Sequence, residues 1–413
     1  MSSTNSAPGP LAGVMVLDLS RVLAGPWATQ MLGDLGADVI KVERPGAGDD
    51  TRSWGPPFVT AADGRQGDAA YFTSANRNKR SVAIDMANPV GADLLRQLAA
   101  KADVVVENFK TGGLAKYGLD YASLSQINPR LVYCSVTGFG QTGPYAARPG
   151  YDYMIQAMGG LMSITGQPDG APGGEAMKVG VAVTDLFTGL YAANAILAGL
   201  LHARASGQGQ HLDIALLDVQ AAMLANQAAN YFVSGEAPER LGNAHPNLAP
   251  YQPFATRDGA VVVAVGNDGQ FRALAVALGD ADLSTDPAFA ANAQRVAGRQ
   301  KLTARLSPHF LTRTTAEWIS DLERAGVPCG PINKIPEVFA DPQVRARGLE
   351  IEQVSSIQQG PVKTVASPLR LSRTPVSYRL PPPALGEHTR DVLQNQLGLS
   401  ASDLETLRAA GAI

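Results

Sequence analysis

Residues 14–43 read VMVLDLSRVLAGPWATQMLGDLGADVIKVE, and this stretch decides the fold. The run VMVLDLS is largely apolar, as in a strand that is buried on both faces, and ADVIKVE has the same texture. The segment between them predicts a turn and a helix, with Pro26 suited to the first helical turn. Two strands joined by a helix form a βαβ unit, so the sequence predicts an α/β protein.

The same alternation continues downstream of this unit. Strand-like and helix-like segments follow in the order SVAIDM (81–86), PVGADLLRQLAAKA (89–102), DVVVENF (103–109), YASLSQI (121–127) and RLVYCSV (130–136). This order predicts a Rossmann-like, doubly wound parallel sheet in a large domain.

A second texture begins after the small-residue helical tract that ends near residue 205. AVVVAVG (260–266) predicts a strand, and QFRALAVALG (270–279) and TAEWISDLERAG (315–326) predict amphipathic helices. The proline-rich stretch at 367–389 predicts an extended segment that wraps over a surface. We therefore expect a large domain over 8–221, a small α+β domain over 222–332 and a C-terminal return to the large domain over 333–413.

Composition excludes several classes of protein. The chain has 34 basic and 37 acidic residues, a formal net charge of −3, so no global field attracts nucleic acid or an anionic membrane. Cys134 and Cys329 lie far apart and the five histidines are scattered, so we expect neither a disulfide framework nor a metal site. No signal-peptide pattern and no run of about 18 uninterrupted apolar residues is visible. These features predict a cytoplasmic protein.

Loop cations are the candidates for ligand binding. The first turn, Arg21 to Pro26, lacks the glycine fingerprint of a dinucleotide site. Basic residues instead follow predicted strands, where phosphates bind in open α/β sheets. A solvated charged loop is the commoner explanation of such a cluster. The cluster comprises Arg21, Arg44, Arg77, Lys79 and Arg80.

Asp185 stands in the otherwise uncharged tract KVGVAVTDLFTGLYAANAIL. One interpretation is a helix N-cap, since a helix follows it. The other is a nucleophile toward an activated acyl group, because a carboxylate at a helix N-terminus stays ionised. Asp152 poses the same choice, with Tyr151 beside it. His245 lies in a Gly/Asn/Pro loop, where residues often contact ligands, although an ordinary turn histidine is the commoner explanation.

Several long blocks closely resemble the family III coenzyme A transferases. They include residues 10–58, YFTSANRNKRSVAIDM (71–86), ADVVVENFKTGGLAKYGLDY (102–121), YCSVTGFGQTGPY (133–145), GVAVTDLFTGLYA (180–192), AGVPCGPIN (325–333) and PPPALGEHT (381–389). The family includes formyl-CoA:oxalate and carnitine CoA-transferases and α-methylacyl-CoA racemases. Within it, the sequence is most similar to the succinyl-CoA:dicarboxylate type.

The resemblance implies a mechanism and a set of residues. It implies two interlocked ring-shaped subunits, hence a homodimer, and acyl-CoA and a carboxylic acid as substrates, without a metal. An aspartate, matched by Asp185, forms a mixed anhydride and then an aspartyl-CoA thioester. The matched CoA-binding positions are Val22, Leu23, Arg44, Ile84, Asp85, Met86, Ala87, Asn108, Phe109, Lys110, Lys116, Pro149, Gly150, Tyr151 and Asp152.

Departures from the family narrow the reaction. Formyl-CoA transferases have histidine and glutamine where this chain has Arg21 and Leu23, which argues against formyl-CoA and oxalate. Racemases have histidine at the position of Tyr151, and proton exchange needs that partner. An isomerase and a non-catalytic CoA-binding protein stay open as alternatives.

A transferase of this type needs no general base in our sequence interpretation. A carboxylate with an ordinary pKa of about 3.9 is already ionised near pH 7, and no Ser/His or Cys/His arrangement is evident. The second carboxylate of a dicarboxylic acid needs a cation. Our candidates for this substrate site are Arg52, Arg77 and His245, with Trp54 as a wall.

Overall fold

The computed structural model describes residues 8–355 and 358–413. Its strands are short, mostly of four to six residues. They are β1 Met15–Asp18, β2 Asp38–Glu43, β3 Phe58–Thr60, β4 Gln66–Ala69, β5 Lys79–Ala83, β6 Val104–Glu107, β7 Val132–Thr137, β8 Gln210–Ala215, β9 Tyr251–Ala255, β10 Ala260–Ala264, β11 Cys329–Pro331, β12 Glu350–Gln353 and β13 Val362–Val365.

Helices connect the strands. They are α1 Ala24–Asp34, α2 Ala70–Ser74, α3 Pro89–Ala99, α4 Tyr121–Ile127, α5 Asp152–Met158, α6 Leu161–Ile164, α7 Val183–Ser206, α8 Leu216–Met223, α9 Ala225–Ser234, α10 Asp268–Leu278, α11 Asn292–Ala297, α12 Arg299–Phe310, α13 Thr315–Arg324, α14 Ile335–Ala340, α15 Pro342–Ala346, α16 Thr389–Leu397 and α17 Ala401–Ala409. Short 3-10 helices span Asp50–Ser53, Ala115–Tyr117 and Ala281–Ser284.

Six strands form an all-parallel sheet in the order β5-β2-β1-β6-β7-β8. Numbered among themselves, these strands run 3-2-1-4-5-6, which is the Rossmann order. The predicted parallel sheet is thus confirmed. The sequence did not predict β8, because QHLDIA carries polar residues that break the apolar pattern of a buried strand.

The parallel sheet is covered by helices on both faces, and residues of the first strand and its neighbour Val14 pack into the cores on either side. Val14 and Val16 belong to one apolar cluster, together with residues of α1 and α7. Met15 and Leu17 belong to a second cluster, together with residues of α3, α16 and α17. Because successive side chains of a strand point to opposite faces, this apolar run supplies both cores.

The chain divides into two compact units. The first contains the parallel sheet and comprises the chain up to Gly159, Gly180–Met223 and Gln343–Ile413. The second comprises Gly160–Val179 and Leu224–Pro342. It has the antiparallel sheet β11-β10-β9 and its own aromatic core, which includes Phe254, Phe310 and Trp318. Residues 160–179, which we expected in the large domain, thus belong to the second unit.

The C-terminal stretch runs beside the edge strand β5 of the first unit. The backbone N–H of Asn78 donates to the carbonyl oxygen of Leu380 at 2.9 Å, and that of His388 donates to Ser81 at 2.9 Å. The N–H of Ser377 donates to Asp34 at 3.0 Å. The expected wrapping of this segment over a surface is therefore confirmed.

Helix α7 is long and apolar enough to cross a membrane by length and composition alone. It packs on α1 and on strands β7 and β8, and Ala192, Ala193 and Ile196 are buried in that contact. A helix that covers a parallel sheet has this character in a globular α/β unit.

Candidate functional site

Asp185 lies in the first turn of α7, where backbone N–H groups have no partner within the helix. The cap comes from another element. Oδ1 of Asp152 accepts hydrogen bonds from the backbone nitrogen of Thr184 at 2.8 Å and from that of Asp185 at 3.3 Å. The N-cap position is Ala182, which gives no side-chain bond. The interpretation of Asp185 as the cap is therefore wrong, and Asp152 has that role.

Asp152 is engaged within the protein through both carboxylate oxygens. Its Oδ2 accepts a hydrogen bond from Nε2 of Gln156 at 2.6 Å, one turn along α5. The resemblance assigns Asp152 to CoA binding, but the described cavity walls include its neighbour Tyr151 and not Asp152. Its contacts instead fix the start of the helix that carries Asp185.

The pKa of Asp185 is raised to about 7, first by burial and then by the negative charge of Asp152. This differs from the ordinary ionised carboxylate that we expected. The helix N-terminus favours a carboxylate by about 0.3–1 kcal/mol, whereas a rise of three pKa units corresponds to about 4 kcal/mol. The cost of desolvation therefore exceeds the stabilisation by the helix N-terminus. Near neutral pH, Asp185 is present partly as the acid and partly as the carboxylate.

Asp185 lines a cavity of about 140 Å³ in the first unit. Among the described residues on its wall, Asp185 is the only carboxylate, and none is Cys, Ser or His. The wall brings together eight of the predicted CoA-binding residues. These are Val22, Leu23, Asn108, Phe109, Lys110, Pro149, Gly150 and Tyr151.

Two glycines meet on this wall. A Cβ atom built on Gly138 would lie 2.5 Å from Cα of Gly150, closer than side-chain atoms ever approach backbone. The loop after β7 can therefore reach the segment before α5 only because both positions are glycine. Their contact places the start of α5, and hence Asp152, beside the cavity.

A second cavity of about 600 Å³ adjoins the first and shares Arg21, Phe109 and Lys110 with it. The remaining predicted CoA-binding residues, except Asp152, lie on its wall. They are Arg44, Ile84, Asp85, Met86, Ala87 and Lys116, with the shared Phe109 and Lys110. Three of the cations on its wall, Arg44, Lys110 and Lys116, are exposed and have no carboxylate partner in the described chain. Such free cations are suited to phosphate groups.

The turn between the two cavities is strained. Val22 has a φ of 72°, which a β-branched side chain rarely adopts. The side chain of Asn108 binds both backbone groups of Arg21, the residue before Val22. Its Oδ1 accepts a hydrogen bond from the Arg21 nitrogen at 3.0 Å, and its Nδ2 donates to the Arg21 carbonyl oxygen at 2.7 Å. Oδ1 of Asp49 accepts from the Val22 nitrogen at 3.3 Å. Strain of this kind persists only where the surroundings enforce it.

Buried ion pairs lie beneath this turn. Nζ of Lys41 is 2.8 Å from Asp49, and Nζ of Lys79 is 3.1 Å from Asp18; all four side chains are fully buried. Although burial opposes it, the charge of Lys41 lowers the pKa of Asp49 to about 2. Burial lowers the pKa of Lys79 to about 8. These buried pairs pack beneath the turn at Val22 and help to hold it in place.

The predicted substrate cations are structural. Arg52 is buried, with Nη2 2.7 Å from Glu43 and Nη1 2.6 Å from Asp68. Arg77 is also buried, with Nη2 2.6 Å from Asp34. The structure thus contradicts both as ligands of a substrate carboxylate, because each is already neutralised by an acid within the protein.

The other cations of the predicted phosphate-binding cluster are also mostly paired with acids of the protein. Lys79 is buried against Asp18, and Arg80 pairs with Asp38, so neither is free for phosphate. Arg21 forms an exposed pair with Asp50 at 2.7 Å. Of the five cations in that cluster, Arg44 alone lies on a cavity wall without an acidic partner in the described ranges.

The other two predicted substrate residues lie outside both cavity walls. Trp54 is 44% exposed and packs edge-to-face on Tyr71, with 5.4 Å between ring centroids. His245 belongs to the second unit, where its Nδ1 accepts from the Asn247 nitrogen at 3.0 Å and its ring contacts Tyr251. A substrate role for either residue stays a prediction.

Two residues of the site were missed in the sequence. Arg148 lines the cavity of Asp185. The pKa of Tyr71 is raised to about 12 by burial and then by the charges of Asp185 and Asp152. The motif RPGYD (148–152) offered a signal for Arg148, since the same motif contains the predicted site residues Tyr151 and Asp152. Tyr71 offered none, because an aromatic residue in a short helix is usually core.

A Rossmann-order sheet, one carboxylate on the described wall of a small cavity and free cations along an adjoining cavity are suited to an elongated, phosphate-bearing ligand. The chain matches CoA-transferase family III over residues 11–389. It belongs to that family and is an enzyme that transfers CoA. Within the described residues, no group of three or more His, Cys, Asp or Glu side chains is arranged to hold a metal ion.

Similar proteins support this assignment. The chain is 55% identical to succinate–glutarate CoA-transferase of Agrobacterium fabrum, over 93% of this chain and 95% of that one. It is 44% identical to human succinyl-CoA:glutarate CoA-transferase, over 98% and 90% of the two chains. Among solved structures, a CaiB/BaiF family protein from Brucella suis is 49% identical, with a TM-score of 0.83 over 94% of this chain and 100% of that one.

Proposed function

We propose that the protein transfers CoA from succinyl-CoA to a small dicarboxylic acid, with Asp185 as the covalent nucleophile. The position of Asp185 as the sole carboxylate among the described residues on the wall of its cavity carries the proposal. The names of the similar transferases support succinyl-CoA as donor and a dicarboxylic acid such as glutarate as acceptor.

The reaction proceeds by exchange of acyl partners. A carboxylate oxygen of Asp185 attacks the thioester carbonyl, the C–S bond breaks, and CoA thiolate leaves a mixed anhydride. The thiolate then attacks the aspartyl carbonyl, which releases the donor acid and forms an aspartyl-CoA thioester. The acceptor carboxylate attacks this thioester and expels the thiolate. Attack of the thiolate on the acceptor acyl carbon gives the new acyl-CoA and restores Asp185. No net proton is consumed.

The two adjoining cavities suit a long substrate. The reacting thioester lies beside Asp185 in the smaller cavity, and the pantetheine chain passes the shared residues Phe109 and Lys110. The phosphates of CoA lie near Arg44, Lys110 and Lys116. Water competes with both covalent intermediates, so the small cavity also serves to exclude it.

We further propose that the active form is an interlocked homodimer in the cytoplasm. Helix α7 exposes the apolar side chains Phe187, Leu190, Tyr191 and Leu201, of which Leu201 is 70% exposed. Apolar surface of this extent is suited to a second copy of the chain. Cys134 and Cys329 are both unpaired thiols, which fits a reducing compartment. Sedimentation of the purified protein at twice the monomer mass supports the dimer, and sedimentation as a monomer refutes it.

The test combines product analysis with a trapped intermediate. The protein is incubated with succinyl-CoA and a panel of mono- and dicarboxylic acids, and new thioesters are followed by mass spectrometry. We expect glutaryl-CoA from glutarate and a CoA adduct on the peptide that contains Asp185. The variant D185A should give neither product nor adduct while it still binds CoA. Full activity of D185A refutes the nucleophile.

Two further measurements separate the alternatives, namely incubation with a 2-methylacyl-CoA in deuterated water and a direct CoA-binding assay. An isomerase exchanges the α-proton of a 2-methylacyl-CoA with solvent deuterium without any acceptor acid. A CoA-binding protein without catalysis gives binding but no adduct and no new thioester. Either result contradicts the proposed transfer.

A further inference from the structure

Arg148 differs from the other arginines of the site in its surroundings. Its guanidinium lies over the rings of Tyr145, at 4.6 Å from the centroid, and Phe139, at 5.2 Å. No ion pair or side-chain hydrogen bond of Arg148 occurs in the residues that the structure describes. Arg52 and Arg77, by contrast, are buried against carboxylates. Arg148 is thus held in place by aromatic faces and keeps its five N–H donors free.

The location of Arg148 is equally distinctive. The cations on the wall of the Asp185 cavity are Arg21, Lys110 and Arg148. Arg21 and Lys110 also line the larger cavity, whereas Arg148 does not. Among the described cations on this wall, Arg148 is therefore the one that lines the Asp185 cavity and not the larger cavity.

The chemistry of the substrate indicates what this cation meets. When Asp185 attacks, the reacting carbonyl lies at Asp185 and the far end of the acyl chain extends away from CoA into the same small cavity. In a dicarboxylic acyl group, that end is a second carboxylate, which is costly to bury without a cation. A guanidinium matches a carboxylate with two parallel N–H···O bonds.

We propose that Arg148 binds the distal carboxylate of the donor and acceptor acids and so sets the preference for dicarboxylic over monocarboxylic substrates. This rests on the proposed transferase function. The faces of Tyr145 and Phe139 limit the rotamers of Arg148, so less side-chain entropy is lost when the carboxylate binds. Arg148 thus takes the role that the sequence suggested for Arg52 and Arg77.

The test compares two acceptors that differ at one end only. Glutarate and pentanoate both have five carbons, and glutarate has a carboxylate where pentanoate has a methyl group. With succinyl-CoA held constant, kcat/KM is measured for each acceptor in the wild type and in R148K, R148Q and R148E. We expect the glutarate-to-pentanoate ratio to fall by about 10- to 100-fold in R148Q. It should fall less in R148K, which keeps the charge, and more in R148E, which repels the carboxylate.

Using a ratio separates specificity from folding and from CoA binding, because damage to either affects both acceptors. The matched control is R130Q, at an exposed arginine in the loop before β7, which should leave the ratio unchanged. The donor side is tested in the same way with succinyl-CoA and butanoyl-CoA at constant glutarate. An unchanged ratio in R148Q and R148E overturns the role of Arg148. Failure of the wild type to form any new acyl-CoA overturns the transferase function itself.

Discussion

Oδ1 of Asp152 lies 3.3 Å from the backbone nitrogen of Asp185, so one carboxylate caps the helix that carries the other. The shorter bond to Thr184, at 2.8 Å, fixes the same turn. The arrangement has two effects with opposite signs. It positions the backbone of the nucleophile, and it places a negative charge near the nucleophile's own carboxylate. The raised pKa of Asp185 includes that second effect.

We predict that kcat/KM rises with pH through a limb near 7, because only the carboxylate form of Asp185 attacks the thioester. The variant D152N removes the neighbouring negative charge and keeps an oxygen that accepts from Thr184. The limb should therefore move to lower pH by about one unit. Initial rates from pH 5 to 9 in both proteins measure the shift. A limb that stays in place would show that Asp152 does not act on Asp185 through its charge.

A stability prediction follows from the same pKa. The pKa of the Asp185 carboxyl is raised from 3.8 to about 7 in the folded protein. Between these values the folded state holds a proton that the unfolded chain has lost, so the free energy of unfolding falls as pH rises through this window. D185N has no charge to desolvate. It should be more stable than the wild type at pH 8, by on the order of 1–3 kcal/mol, and about equal to it near pH 4.

Thermal unfolding at several pH values tests this prediction alongside activity. D185N should show a higher midpoint temperature at pH 8 together with loss of CoA transfer. D93N, at an exposed aspartate of α3, serves as the control and should show no such gain. Equal midpoints of D185N and wild type at pH 8 would contradict a costly desolvation of Asp185.

The sequence was sufficient to predict five of the six strands of the parallel sheet and insufficient to predict the roles of the arginines, and the difference is physical. Apolar runs such as VMVLDLS predict buried parallel strands because local pattern and burial coincide. The role of an arginine depends on which acid faces it. Arg77 pairs with Asp34, which lies 43 residues earlier in the chain, and local pattern does not report that contact. Arg148 was missed because its partners are the rings of Phe139 and Tyr145 rather than charges.

Asn108 provides a test of the strained turn. N108A removes both side-chain bonds to the backbone of Arg21, which support the φ of 72° at Val22. We expect a loss of about 1–3 kcal/mol in unfolding free energy and a higher KM for succinyl-CoA, with a smaller effect on kcat. N108D keeps the acceptor and loses the donor, so it should fall between wild type and N108A. A kcat effect larger than the KM effect would place Asn108 in the chemical step instead.

The buried pair of Lys41 and Asp49 connects stability to the same turn, since Asp49 also accepts from the Val22 nitrogen. K41M leaves the Asp49 charge buried without its partner, which should cost about 3–5 kcal/mol. The double variant K41M/D49N removes that charge and should recover part of the loss.

The pKa of Asp49, lowered to about 2, also predicts a stabilising contribution that the wild type loses as the pH falls from about 4 to 2. K41M should lack this acid-sensitive contribution. Denaturant titrations of the wild type and the three variants K41M, D49N and K41M/D49N at pH 7 and pH 3 give the coupling energy, and additive effects of the two substitutions would contradict a coupled pair.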